Sequence, residues 1–326
     1  MPKQTMIDGA HAALFNEFVA YKRNLGYGYP QQTLQLIRLF SRFLAGFTEE
    51  KTILTKELAE AFCAPREGEA VSTRNKRFSI VRQFALFLQS RGIPCYVPPE
   101  HHDKASTEFV PYIITEEQMA AIIACADQQP FLPHASTTKA VYSMLLRTLW
   151  CCGLRLSEAL SLRLGDVDSK NGVLTIRRAK YNQVRLIPLA PSLLEYLRIY
   201  WSEMGFSPEN TEAFFFPNHR GGSYVRHGAA KHIQTIMLQA GITKDGVKSP
   251  RAHDIRHSYA IRALQKMADE GTDIYCALPM LSIFMGHSDI ISTEYYLRLT
   301  GYAFPDVTGR MEKAYANVFL EVRQNG

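Results

Sequence analysis

His253 and Arg256 stand three residues apart in the run His253-Asp254-Ile255-Arg256-His257, and the step Gly286-His287 and the pair Tyr295-Tyr296 follow. On a helix that spacing puts an imidazole and a guanidinium on one face. Both can then address one phosphate, with a tyrosine hydroxyl brought in by the next helix. Such a set suits phosphoryl chemistry that uses no metal. Two upstream segments add residues of the same kind: Cys152-Gly153-Leu154-Arg155-Leu156-Ser157-Glu158 contributes Arg155, and the run from Lys180 to Leu189 contributes Lys180. Each residue also has a plainer reading. Arg155 fits a cation at a helix C-terminus, and Lys180 and Arg185 fit solvent charges on a hairpin. His253 and His287 fit satisfied polar residues, and Glu158 fits a structural carboxylate paired with a basic neighbour. The two tyrosines stay equivalent at this point, because adjacent helical residues face different sides.

The elements that must position these residues can be read from periodicity. Apolar stripes at helical spacing run over residues 8–25, 33–47, 55–63 and 72–91, with Thr55 placed as an N-cap. In the last stripe Phe78, Val81, Phe84, Ala85 and Leu88 face a core. Arg74, Lys76, Arg77, Arg82 and Arg91 lie between them, and no acidic residue occurs from Val71 to Ile93. The choice is between a solvated helix face and a basic face laid on DNA phosphates, and Arg74, Lys76, Arg77 and Arg82 are the candidate DNA-binding residues of the latter. Prolines 94, 98, 99 and 111 mark residues 93–112 as a linker. A capping box, Thr115-Glu116-Glu117-Gln118, opens a second domain. Helical pattern covers 141–164 with an interruption at Cys152–Arg155, and residues 173–177 and 184–188 alternate as two strands of a hairpin. Helices are expected over 191–204 and 224–241 and from His253, a loop over 271–279, and an amphipathic tail over 312–322. The expected fold is mainly α: a helical module over 8–92, then a mainly helical domain over 113–326 with a small antiparallel β-sheet.

Four boxes in this order resemble the tyrosine recombinase, or phage integrase, family: Gly153-Leu154-Arg155-Leu156-Ser157-Glu158, the Lys180 to Leu189 hairpin, His253-Asp254-Ile255-Arg256-His257-Ser258, and Gly286-His287-Ser288 leading to Thr293 and Tyr296. The resemblance covers nearly all of the second domain, while the first matches only as a basic helical module of suitable size. In that family the nucleophile lies nine residues after the histidine of the Gly-His box, which selects Tyr296 over Tyr295. The resemblance implies attack by Tyr296 on a DNA phosphodiester, giving a 3′-phosphotyrosyl intermediate and a free 5′-hydroxyl. Arg155 and Arg256 would hold the nonbridging oxygens. Lys180 would protonate the leaving 5′-oxygen, His253 would assist proton transfer at the tyrosine, and His287 would be a further phosphate donor. No cofactor is implied, because the covalent link conserves the phosphodiester energy.

The resemblance further implies a tetramer on two double-stranded DNA sites, serving integration, excision or transposition of a mobile element, with the tail a candidate for docking on a neighbouring subunit. Accessory recombinases or DNA-bending proteins are partners such a system can draw on. Composition agrees. At 326 residues the chain is long enough for two cores, and its net charge of +6 suits an anionic partner. Six scattered cysteines without C-x-x-C spacing suit a reducing, cytoplasmic setting, and no run of about 20 apolar residues marks a membrane span. His101-His102 and Asp166 with Asp168 have no further ligands at metal spacing, so no metal site is expected. Two alternatives share features of this set: a DNA-binding protein without the chemistry, and an enzyme related to type IB topoisomerases or telomere resolvases.

Overall fold

The computed structural model describes residues 7, 11–47, 53–100, 103, 111–130, 137–177, 184–243 and 250–286, apart from the side chains of residues 274 and 275. Lys180, His287, Tyr295, Tyr296, His101, His102 and the 312–322 tail lie outside them. The chain divides into two compact units near residue 110.

The first unit is built on four helices, α1 (Ala12–Asn24), α2 (Gln31–Ala45), α3 (Lys56–Cys63) and α4 (Val71–Ser90). Thr55 caps α3 by accepting from the Leu58 amide at 3.3 Å, as its position predicts. The core is largely aromatic: Phe15 stacks on Phe84 at 4.1 Å between centroids, and Phe40 meets Phe15, Phe62 and Phe84. The first residues of the expected linker close this unit rather than leave it. Tyr96 donates its amide to the Leu54 carbonyl, and the Cys95 thiol donates to that of Ala85.

The open basic face expected on α4 needs correction. Arg77 is only 1% exposed, pairs with Glu69 and donates to the carbonyls of Phe62 and Ala64. Arg77 thereby ties α4 to the end of α3 from inside the unit and is not part of an open basic face. Arg74 pairs with Asp103 at 2.6 Å, Arg82 donates to the Pro98 carbonyl beside Glu100, and Arg91 pairs with Glu17. The missing counter-charges come from outside the helix, where sequence proximity could not reveal them. Arg74 and Arg82 are partly exposed and Lys76 is exposed. Exposed pairs contribute only about 0–1 kcal/mol, so Arg74 and Arg82 can be released to another anion.

The second unit holds α5 (Glu116–Asp127), α6 (Thr138–Cys152), α7 (Leu156–Ser161), α8 (Pro191–Glu203), α9 (Arg226–Gln239), α10 (Ala252–Asp269) and α11 (Ile274–Met285). The capping box is complete: Thr115 Oγ1 accepts from the Gln118 amide, and Gln118 Oε1 from that of Thr115. A three-stranded antiparallel sheet runs in the order β1 (Val167–Asp168), β2 (Val173–Arg177), β3 (Val184–Pro188). Arg177 faces Val184 and Ile176 faces Arg185. The two-residue β1 was not expected. Asp166 and Asp168 serve turns: Asp166 accepts from the Arg163 amide and Arg177 Nε, and Asp168 from the Lys170 and Asn171 amides.

The loop expected over 271–279 is largely helix. Helix α11 begins at Ile274, and Pro279 sits inside it. A proline removes one backbone donor, but Ala277, Leu278, Leu281 and Met285 bury themselves against Ala260, Ile261 and Leu264 of α10. That burial outweighs one missing hydrogen bond.

Between α6 and α7 the chain turns on Gly153, which has φ +59°. A Cβ there would stand 2.3 Å from Cδ1 of Tyr259, so both the backbone angle and the space demand glycine. Gly153→Ala is expected to destabilise the protein by about 2–4 kcal/mol, the sum of a left-handed alanine and an overpacked contact. Chemical denaturation measures it, and a loss below about 1 kcal/mol would mean that the ring yields freely.

Candidate active site

The turn at Gly153 delivers Arg155 to the N-cap of α7, so this residue is not the helix C-terminal cation of the plainer reading. A cation at a helix N-terminus is disfavoured by the dipole, and Glu158, at the third position of α7, compensates. Its Oε2 accepts from the Arg155 amide at 2.9 Å and its Oε1 from Arg155 Nη1 at 2.9 Å. From the other side Arg185 of β3 makes a two-pronged pair with the same carboxylate, Nη1 to Oε1 at 3.1 Å and Nη2 to Oε2 at 2.7 Å. Arg256 of α10 brings a third guanidinium, its Nη1 lying 3.8 Å from Glu158 Oε2. Burial pushes the Glu158 carboxyl up, but the bonds from Arg185 and Arg155 outweigh it and hold its pKa at about 2.

Backbone carbonyls complete the frame. Arg256, 2% exposed, donates Nη1 to the Gly153 carbonyl at 2.7 Å and Nη2 to that of Met285 at 2.6 Å. Arg155 donates both Nη atoms to the Gly286 carbonyl at 3.1 Å. The turn after α6, the first half of α10 and the end of α11 are thereby tied through two arginines. Three cations around one carboxylate leave a net charge of +2, which is the electrostatic setting of an anion site.

His253 occupies the second position of α10, and its ring meets that of His257 edge-on at 4.6 Å. Burial of the ring, then the charges of Arg256 and Arg251, push the His253 pKa down to about 4. Burial, then His253, push His257 down to about 3. His253 is therefore neutral near pH 7 and able to accept a proton. Among the described residues no group of three or more His, Cys, Asp or Glu side chains could hold a metal ion.

The phage integrase family model matches residues 113–301, more than half of the chain. The chain belongs to the phage integrase family. As a tyrosine-type site-specific recombinase it is an enzyme of DNA strand cleavage and rejoining. A Sinorhizobium fredii protein named as an integrase/recombinase, y4rE, is 28% identical over 294 residues, covering 86% of this chain and 89% of its own. Tyrosine recombinase XerD of Oceanobacillus iheyensis is 26% identical over 265 residues, covering 80% of this chain and 82% of its own. Among solved structures, the Tn1549 transposon integrase in complex with transposon right end DNA superposes with a TM-score of 0.63 at 17% identity, covering 93% of this chain and 99% of that one. That likeness concerns the fold.

Of the six residues singled out as catalytic in this recombinase, the structure brings Arg155 and Arg256 together at Glu158 and places His253 within the electrostatic reach of both arginines. Lys180, His287 and Tyr296 fall outside the described residues; in the chain Lys180 lies between the strands β2 and β3, and His287 directly follows Gly286. Sequence reasoning passed over Arg185 as a solvent charge. The signal was present in the alternation of β3, where Val184 and Leu186 are exposed while Arg185 shares a face with buried Ile187.

The two histidines carry a stability consequence. The folded chain holds both below the ordinary value of 6.5, so the unfolded chain takes up protons first as pH falls. Stability is fully present above about pH 6.5 and is lost as pH drops toward the folded values; Glu158 adds its own loss only below its ordinary 4.5. For His257, 7% exposed, the slope approaches about 1.4 kcal/mol per pH unit between pH 6 and 4.5. His257→Gln should cut the slope of stability against pH across that window to about half, leaving the share of His253, and an unchanged slope would count against the neutral buried imidazole.

Proposed function

We propose that the chain recombines specific double-stranded DNA sites through a 3′-phosphotyrosyl intermediate formed by Tyr296. The observation that carries this reading is the convergence of Arg155 and Arg256, with a neutral His253 beside them, on one partly exposed cationic site. Both arginines would hold the nonbridging oxygens of the scissile phosphate by charge-assisted, planar contacts and stabilise the charge that grows as phosphorus becomes five-coordinate. His253 takes the proton of the tyrosine hydroxyl as its oxygen attacks. The bond from phosphorus to the 5′-oxygen breaks, and Lys180 protonates that oxygen; His287 donates to the phosphate. Rejoining runs the same steps in reverse with another 5′-hydroxyl, so neither ATP nor a metal enters the balance.

In this reading the first unit, over residues 8–92, is a DNA core-binding module in which Arg74, Lys76 and Arg82 contact phosphates, and residues 113–326 form the catalytic domain. Two sites and four active centres imply a tetramer during exchange, for integration, excision or transposition of a DNA element, with the tail docked on a neighbouring subunit and accessory proteins optional. The six cysteines are all unpaired, which supports a cytoplasmic setting. Among the described residues no helix is long and apolar enough to cross a membrane.

A selection from random DNA tests the reading and finds the target site in the same step. A pool of randomised duplexes, each carrying a nick close to a potential cleavage position, is incubated with the protein, and complexes that survive SDS are captured and sequenced. Enrichment of one sequence in covalent complexes is the expected result. Sequence-selective binding without any SDS-resistant complex would favour a DNA-binding protein that lacks the chemistry.

A further inference from the structure

We propose that Arg185 is a positioning residue for the phosphate site: by neutralising Glu158 it leaves the charges of Arg155 and Arg256 available to the scissile phosphate. The inference rests on the recombinase reading above. It begins with an oddity of β3, whose inward positions are held by Ile187, 1% exposed, and by Arg185, whose side chain is 13% exposed. An arginine on the buried face of a strand is costly unless it is paired and hydrogen-bonded. Its partner is Glu158, engaged by both Nη atoms at 3.1 and 2.7 Å.

The effect of that pair is best seen by removing it. Glu158 is also bonded to Arg155 and has Arg256 3.8 Å away. With Arg185 present, three cations face one anion, and two positive charges remain for a phosphate. Without it, two cations face the same carboxylate, and one charge remains. Glu158, having lost two charge-assisted bonds, then competes with the phosphate for the guanidiniums of Arg155 and Arg256. Arg185 touches neither the phosphate nor the tyrosine in this scheme; it acts through Glu158. A lysine at the same place would supply the charge but not the two-pronged contact.

The experiment measures single-turnover adduct formation by the full chain on the duplex enriched from the randomised pool. Arg185→Met should slow adduct formation about 100-fold, in the range seen for loss of a transition-state charge contact, while duplex affinity changes less than about 3-fold. Arg185→Lys should lose about 10-fold or less, since a point charge suffices in part. The decisive readout is the double variant Arg185→Met with Glu158→Gln. The amide can still accept from Arg155 but carries no charge, so the rate should recover at least about 10-fold over Arg185→Met alone, against the usual loss on a second substitution. An Arg185→Met rate equal to wild type, or a double variant as slow as the single one, overturns the inference. If Arg185→Met fails to fold, the lysine variant and the double variant are compared with wild type, and a double variant slower than about 100-fold overturns it equally. A wild type that captures no duplex overturns the recombinase reading and the inference with it, whereas a wild type that captures one, with the variants giving either of those contrary results, overturns the inference alone.

Discussion

Tyr296→Phe is expected to abolish covalent capture of DNA, while Tyr295→Phe retains it. The phenyl ring keeps the rest of the side chain and removes only the oxygen that would form the new bond to phosphorus. No other hydroxyl is proposed for that position, so the loss is total rather than graded, and it separates cleavage from binding because the cationic site is untouched. Arg155 and Arg256 remain pinned by Glu158 and by the carbonyls of Gly153, Met285 and Gly286. Duplex affinity should therefore stay within about 3-fold of wild type, given that phosphate contacts dominate affinity. Gel mobility without SDS reports binding, and the same gel with SDS reports the adduct. An adduct from Tyr296→Phe together with none from Tyr295→Phe would assign the nucleophile to the neighbouring residue. The choice between the two comes from the family spacing alone, which makes this the most consequential variant to prepare.

Arg256→Lys should slow cleavage by about 100- to 1000-fold, the range for losing one preorganised donor to a developing oxyanion. The charge survives, but the planar fork does not. Arg256 spends Nη1 on the Gly153 carbonyl and Nη2 on that of Met285, so it is held rigidly before any phosphate arrives. A lysine ammonium cannot satisfy both carbonyls and present a donor outward in the same geometry. Loss of those buried bonds should also lower stability by about 1–3 kcal/mol, measurable by denaturant unfolding. Arg155→Lys should show a comparable rate effect with a smaller stability effect, because its side chain is about one third exposed. Cleavage by Arg256→Lys within about 3-fold of wild type would remove Arg256 from the phosphate.

Short-range pattern makes much of this protein legible from the chain alone. The capping box at Thr115 works over three residues, the N-cap at Thr55 likewise, and the pairing of β2 with β3 follows from the alternation of residues 173–177 and 184–188. The order of the four boxes is enough to point to the family, which the family model over residues 113–301 bears out, while the choice of Tyr296 rests on the family spacing alone. What the linear pattern cannot carry is pairing at a distance. The helix α4 reads as an open basic face because its counter-ions, Glu17, Glu69, Glu100 and Asp103, all come from other segments. The 271–279 stretch reads as a loop because Pro279 is a local signal, while the burial of Ala277, Leu278 and Leu281 against α10 is a tertiary one.

The same division runs through the site. By itself the sequence determined which residue types are present for phosphoryl transfer and the family that uses them, since both are properties of short motifs and their order. Only the tertiary structure decided that Glu158 is the point where Arg155, Arg185 and Arg256 meet, with partners 27 residues apart across the Arg185 pair. It alone decided, too, that His253 is held neutral by burial and neighbouring cations. Charge balance and desolvation depend on what surrounds a group in space, and a sequence orders residues only along the chain.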